Sequence, residues 1–159
     1  MGRSFPDLSQ LLKPSHVVID VEVTSKKRLF EQIGLLFENH HQLSMSRVFE
    51  ALFNRERLGS TGLGCGFALP HGRLKGIRET LAAFFRLKNE IPFDAPDGQP
   101  VRLIFVLLVP DHANEQHLRL LGEIAERFSD PELRQALLSV SRADLAYQLL
   151  IQSPNHAIG

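Results

Sequence analysis

Val101-Arg102-Leu103-Ile104-Phe105-Val106-Leu107-Leu108-Val109 carries a single polar side chain, Arg102. A strand with one face in water alternates apolar and polar residues, so a run this continuous predicts an inner strand covered on both faces. It is far too short to cross a membrane, which takes about 20 apolar residues as a helix. His16 to Val23 reads as another strand, built on Val17, Val18, Ile19 and Val21. Thr80 to Leu87 reads as a third, and a short strand is expected to end at Leu69.

Helical spacings surround these strands. Asp7 is expected to cap a short helix through Leu12, stopped by Pro14. Ser25 caps a helix that buries Leu29, Phe30, Ile33, Leu36 and Phe37 and ends near His40 and His41. Ser46 is expected to cap the next one, with Val48, Phe49, Leu52 and Phe53 inward, running into Asn54-Arg55-Glu56-Arg57 and stopping by Gly59. Asp94-Ala95-Pro96-Asp97-Gly98 has turn chemistry. A long helix is predicted from about Ala113 to Phe128. Asp130-Pro131 opens another, and Ser141-x-x-Asp144 predicts a capping box for the last. Strands alternating with helices give an α/β fold, a single domain over residues 8–152 with a mixed sheet covered by helices. Residues 1–7 and 153–159 are read as tails.

Composition narrows the function. The chain has 159 residues, 43% hydrophobic and 23% charged, which suits one domain with a real core. Lys+Arg and Asp+Glu both number 18, which argues against nucleic-acid binding driven by bulk charge. With one cysteine, Cys65, neither an internal disulfide nor a thiolate-rich metal site can form. No secretory pattern opens the chain, so a cytoplasmic protein is expected.

The chemistry gathers around His71. It follows a glycine-rich run, Gly59-Ser60-Thr61-Gly62-Leu63-Gly64-Cys65-Gly66, and stands in Leu69-Pro70-His71-Gly72-Arg73. Pro70 biases Leu69 toward extended backbone, and Gly72 is expected to let the chain turn away. Spacing alone leaves open a histidine that carries something anionic and one that fills a turn. The loop is not a familiar nucleotide motif. A Walker A loop needs lysine where Cys65 stands, a dinucleotide fingerprint needs glycine where Phe67 stands, and a nucleophile elbow around Ser60 needs glycine at Leu58. What remains is a loop of unhindered amides able to wrap an oxyanion, or a simple connection.

The other histidines lack metal-binding spacing. His16, His40, His41, His112 and His156 read as surface or capping residues. His117, four before Leu121 and seven before Ile124, falls at the edge of a buried helical stripe, near the positive end of the helix. The inner strand should deliver this helix start to the same side of the sheet as His71, where ligand sites gather. Arg55 and Arg57 are two apart, so at most one can aim at His71.

Arg55-Glu56-Arg57-Leu58-Gly59-Ser60-Thr61-Gly62, Leu69-Pro70-His71-Gly72-Arg73, Leu107-Leu108-Val109-Pro110 and His117-Leu118-x-x-Leu121 together resemble enzyme IIA of the phosphoenolpyruvate-dependent phosphotransferase system. The type is the mannitol/fructose-like one, nearest the nitrogen-related branch, and the likeness runs from about Leu8 to Ile151.

The resemblance implies a mixed central sheet with helices on both faces. It implies phosphorylation of His71 on Nε2 by a histidine-phosphorylated carrier (HPr or its nitrogen-branch counterpart NPr), with Arg55 stabilising the phosphoryl group and His117 as second active-site histidine. Amides near Ser60, Thr61 and Gly62 would hold phosphoryl oxygens. Such transfer needs neither cofactor nor metal. The attacking nitrogen must be unprotonated, and the other ring nitrogen should donate to a carbonyl. Leu58, Leu63 and Phe67 are expected to form an apolar docking rim. Downstream, the phosphate either switches binding to regulated target proteins, the reading the nitrogen-type likeness favours, or passes to a IIB acceptor of a sugar transporter. A non-covalent anion-binding module is the reading outside the family.

Overall fold

A computed structural model of the chain describes residues 7–112 and 115–152. Its core is a six-stranded mixed sheet, and its middle strand is the one the apolar run predicts: β6, Val101–Pro110. The others are β1 (Val17–Val21), β2 (Gly62–Gly64), β3 (Phe67–Ala68), β4 (His71–Leu74) and β5 (Leu81–Ile91). The sheet runs β1-β5-β6-β3-β2, with β4 also on β6. β1 is parallel to β5, β5 antiparallel to β6, and both β3 and β4 parallel to β6.

Alternation along β6 feeds two cores. Ile104, Val106 and Leu108 point to one face, where they meet Leu29, Phe30, Ile33 and Phe37 of α2 (Lys26–His41) and Val48 and Leu52 of α3 (Met45–Glu56). Leu103, Phe105 and Leu107 point to the other. That face is covered by α1 (Leu8–Leu11), α4 (Glu115–Arg127), α5 (Pro131–Ser139) and α6 (Ala143–Ile151). Burial on both faces leaves no place for a polar side chain in the middle of the strand, which is why its sequence is almost uniformly apolar.

Asp7, Ser25 and Asp130 cap α1, α2 and α5 as read from sequence. Two caps differ. Ser44, not Ser46, is the residue before α3, and the first helical amide, Met45 N–H, is satisfied by Glu38 Oε2 from α2 at 3.0 Å. No capping box forms at α6. Arg142 precedes that helix, and its guanidinium pairs with the Asp144 carboxylate at 2.9 and 3.2 Å. The start expected for the long helix, Ala113, lies outside the described residues.

Candidate functional site

The segment around His71 is straighter than the glycine and proline suggest. Phe67 pairs with Leu103, Ala68 with Ile104, His71 with Leu107 and Leu74 with Pro110, an unbroken register along β6. Leu107 N–H donates to Pro70 O at 3.1 Å and keeps the line going between β3 and β4. Gly72 is therefore a strand residue and not the turn expected of it. It is glycine because α3 crosses β4 at this point: a Cβ on Gly72 would lie 2.7 Å from the Ala51 carbonyl oxygen. Arg55 follows Ala51 by one helical turn, on the same face of α3. The close approach at Gly72 thus sets where Arg55 begins.

Register also decides which way His71 looks. Its partner Leu107 belongs to the core under α4–α6, while Gly72's partner Leu108 belongs to the core under α2 and α3. Paired residues in a sheet share a face, so the imidazole is on the α4 side. The first turn of α4 carries His117, half-buried, followed by half-buried Leu120 and Leu121 and buried Ile124 along one stripe. β2 stops beside β3: Gly62 pairs with Ala68, and Leu69 N–H donates to Thr61 O at 2.9 Å. The chain before β2 is thereby laid next to Leu69, Pro70 and His71, and β4 beyond it has one open edge.

The ring itself is oriented by backbone. His71 Nδ1 lies 2.9 Å from Leu69 O. A carbonyl can only accept, so Nδ1 carries the hydrogen and Nε2 keeps its lone pair. Burial pushes the imidazole pKa below its ordinary value, and the Arg55 charge adds to this; the Leu69 hydrogen bond and the Glu56 carboxylate pull it back up. The net direction favours the neutral ring, the form able to act as a nucleophile.

Of the two arginines, Arg55 is the one whose charge is felt at His71. Its Nη1 donates to Gly59 O at 2.7 Å, while Arg57 turns away to Asn54 Oδ1. In the loop from Ser60 to Gly62, the amides of Thr61 and Gly62 and both hydroxyls are engaged within the protein. Thr61 N–H and Oγ1–H donate to Glu56 Oε2 and Oε1 at 3.0 and 2.5 Å. Ser60 Oγ donates to Phe93 O at 2.7 Å and accepts from Gly62 N–H at 3.0 Å. These donors shape the loop; an anion would find them occupied. Glycine at 62 is dictated by packing too, since a Cβ there would meet Ala95 Cβ at 2.9 Å.

Of the three residues expected at the apolar rim, two are exposed and one is buried. Leu58 and Leu63 are 84% and 49% exposed, but Phe67 is buried, stacked on Phe128 with ring centroids 4.1 Å apart. Leu118, beside His117, is 54% exposed and was not singled out from sequence. His16 and His41 are not surface residues of no consequence: His16 is buried, and its Nε2 faces His41 Nε2 at 2.8 Å. His112 is exposed next to Asp111. His156 lies outside the described residues. Among the described residues no cluster of three or more His, Cys, Asp or Glu is arranged to hold a metal, and no helix is long and apolar enough to cross a membrane.

Residues 10–153 match the family described as phosphoenolpyruvate-dependent sugar phosphotransferase system, EIIA 2. The chain belongs to this family. A nitrogen regulatory protein of Pseudomonas aeruginosa is 42% identical over 149 residues, 93% of this chain and 97% of the relative. The solved nitrogen regulatory protein IIA-Ntr of Neisseria meningitidis is 50% identical, with a TM-score of 0.85 over 90% of this chain and 98% of that one. The mannitol enzyme IIA of Escherichia coli, solved in complex with phosphorylated enzyme IIB, shares the fold at 19% identity and a TM-score of 0.72, covering 88% of this chain and 98% of that one.

As a type 2 enzyme IIA related to the nitrogen regulatory proteins, the chain is a component of a phosphotransferase system. The elements near His71 that sequence reading missed in this enzyme IIA are Glu56 and Lys26; the carbonyl expected to take the ring hydrogen is that of Leu69, which the sequence does not single out. A carbonyl leaves no sequence signal. Glu56, between two arginines at a helix end, reads as a solvated charge until its burial is seen; it is 7% exposed.

Proposed function

We propose that His71 is the phosphoryl acceptor of a histidine phosphocarrier, loaded by a phosphorylated HPr- or NPr-like carrier, and that its phosphorylation state regulates partner binding in nitrogen-related control in the cytoplasm. The observation that carries this reading is the Nδ1–H···O=C contact to Leu69, which leaves Nε2 as the nucleophilic nitrogen. Nε2 attacks the phosphorus on the donor's histidine. The new N–P bond forms as the old one breaks, and the electron pair of the old bond returns to the donor imidazole. No proton leaves His71 during attack, so no separate base is needed.

Charge in a loose phosphoryl transfer is spread over three oxygens. Arg55 and His117 are the groups proposed to meet it, the first from the end of α3 and the second from the first turn of α4. Since the amides of Thr61 and Gly62 are spent within the loop, their part is to hold it in shape. Removing Arg55 as Arg55→Ala is expected to slow transfer about 100-fold, the loss typical of a single preorganised donor. The exposed leucines 58, 63 and 118 supply an apolar docking rim for a transient partner.

The regulatory assignment rests on the nitrogen regulatory relatives. Incubation with phosphoenolpyruvate, enzyme I and the HPr-like carrier is expected to add the mass of one acid-labile phosphate, lost in His71→Ala. Normal labelling of His71→Ala would remove the assignment.

A further inference from the structure

Four hydrogen bonds connect the carboxylate of Glu56 to the imidazole of His71. Thr61 donates to Glu56 twice, through N–H at 3.0 Å and Oγ1–H at 2.5 Å. Leu69 N–H donates to Thr61 O at 2.9 Å, and His71 Nδ1 donates to Leu69 O at 2.9 Å. Main-chain groups of the same loop hold the arginine. Gly59 N–H donates to the Glu56 carbonyl at 3.2 Å, and Gly59 O receives Arg55 Nη1 at 2.7 Å. We propose that Glu56 is the positioning residue of the site: its side chain clasps Thr61 and thereby sets the His71 ring in its working place. The proposal rests on His71 being the phosphoryl acceptor.

Burial alone does not explain this carboxylate. Its counter-ion is Lys26 Nζ at 2.9 Å, from the first turn of α2, and that ammonium also sits 4.5 Å above the Phe93 ring and 3.5 Å from Asp94 Oδ2. Phe93 O in turn takes the Ser60 hydroxyl at 2.7 Å. A buried ion pair is costly in desolvation, and apolar packing of the same volume serves stability as well or better. What the carboxylate supplies is direction: two syn-oriented acceptors that accept both donors of one residue. Each link between Glu56 and His71 crosses a tetrahedral Cα, so the links transmit placement and not electron density. The charge acts separately, through space, opposing that of Arg55 at the imidazole.

These two roles can be separated in the full chain. Thr61→Val removes the hydroxyl donor and leaves the charge; Glu56→Gln removes the charge. Imidazole nitrogen NMR follows the Nδ1 hydrogen and the titration of His71 without any partner protein. Loosening the ring is expected to speed exchange of the Nδ1 hydrogen about tenfold in both variants, as an opened hydrogen bond does. The titration midpoint moves down in Glu56→Gln only. In phosphoryl acceptance from the carrier, both variants are expected to lose about 10- to 100-fold in kcat with KM within about twofold, the pattern of a group that acts in the transition state. Arg55→Ala added to Glu56→Gln is expected to cost about 100-fold, as it does in the wild type, because main-chain groups hold the arginine independently of the carboxylate.

Exchange as slow as in the wild type, or kcat within about twofold of the wild type in both variants, would overturn the proposal. Should Glu56→Gln fail to fold, Thr61→Val decides by the same exchange and kcat criteria. A wild-type chain that takes no phosphate removes the phosphocarrier reading, and the exchange and titration data still decide whether Glu56 positions His71.

Discussion

At the scale of the residue, His71 owes its chemistry to two contacts that no motif spells out. The Leu69 carbonyl sets the tautomer, and burial keeps the ring neutral. The sequence carries the histidine, Pro70 and the glycines, which is enough to single out a candidate site. It does not carry the direction of Nε2, which depends on a main-chain oxygen two residues back. A pH consequence follows. A depressed folded-state pKa keeps the ring unprotonated below its ordinary titration range. Phosphoryl acceptance measured in single turnover is expected to hold level from pH 8 down past the usual histidine midpoint and to fall only below it. A rate that halves at the midpoint of a free histidine would mean the ring is as solvated as one on the surface. His117→Ala is expected to fold normally and to transfer more slowly, with an unchanged rate assigning His117 to packing alone.

At the scale of the element, the crossing of α3 over β4 is the decisive contact. Helix periodicity shows that α3 exists and which face it buries, and the uniform apolarity of Val101–Val109 shows an inner strand. Neither shows that two short strands, β3 and β4, lie end to end along it. Two residues cannot display a period, and Pro70 and Gly72 both argue locally for a break. Tertiary pairing with β6 overrides them. Gly72→Ala therefore tests the fold and the site together. The added methyl would sit 2.7 Å from the Ala51 oxygen, so α3 has to withdraw. Overpacking of this kind costs about 1–3 kcal/mol. Thermal unfolding should show that loss, and phosphoryl acceptance should fall further than in an equally destabilised variant elsewhere, because Arg55 moves with the helix. Equal losses would mean the crossing serves stability only. The cap of α3 illustrates the same limit: Glu38 satisfies Met45 N–H from another helix, and the sequence around Ser44 and Ser46 cannot reveal it.

At the scale of the whole molecule, the sheet separates two cores, and pH acts on the edge of one of them. His16, buried against Phe37, shares a hydrogen bond with His41 at 2.8 Å. Burial first, then the charges of His41, His40 and Lys13, lower the His16 pKa to about 4. Burial likewise lowers His41, with Lys13 and His40 adding to it and Glu79 opposing. Both groups bind protons less readily folded than unfolded. Their linkage therefore favours the folded state fully above the unfolded-state pKa of 6.5 and loses that benefit as pH falls toward about 4. Denaturant titrations are expected to show stability level from pH 8 to 7 and dropping by roughly 3 kcal/mol by pH 4 from His16, with His41 acting in the same direction. His41→Gln, which keeps a partner for His16 but cannot be charged, should flatten part of that slope. Histidines adjacent in sequence at a helix end give no hint of this pairing, since His16 arrives from the other side of α2, 25 residues earlier.

The straight line of β3 and β4 along β6 has a consequence beyond geometry. His71 is paired to the middle strand of the sheet, so the phosphoryl loading proposed for it is expected to leave the outline of the molecule as it was. What changes is its electrical identity. A chain with 18 acidic and 18 basic side chains is neutral, and a phosphoryl group adds about −1.5 to −2 charges at one spot on its surface. Under the proposed function, loaded and empty forms are expected to separate on an ion exchanger and to coincide on sieving, and a partner that tells them apart would do so by field and not by fit.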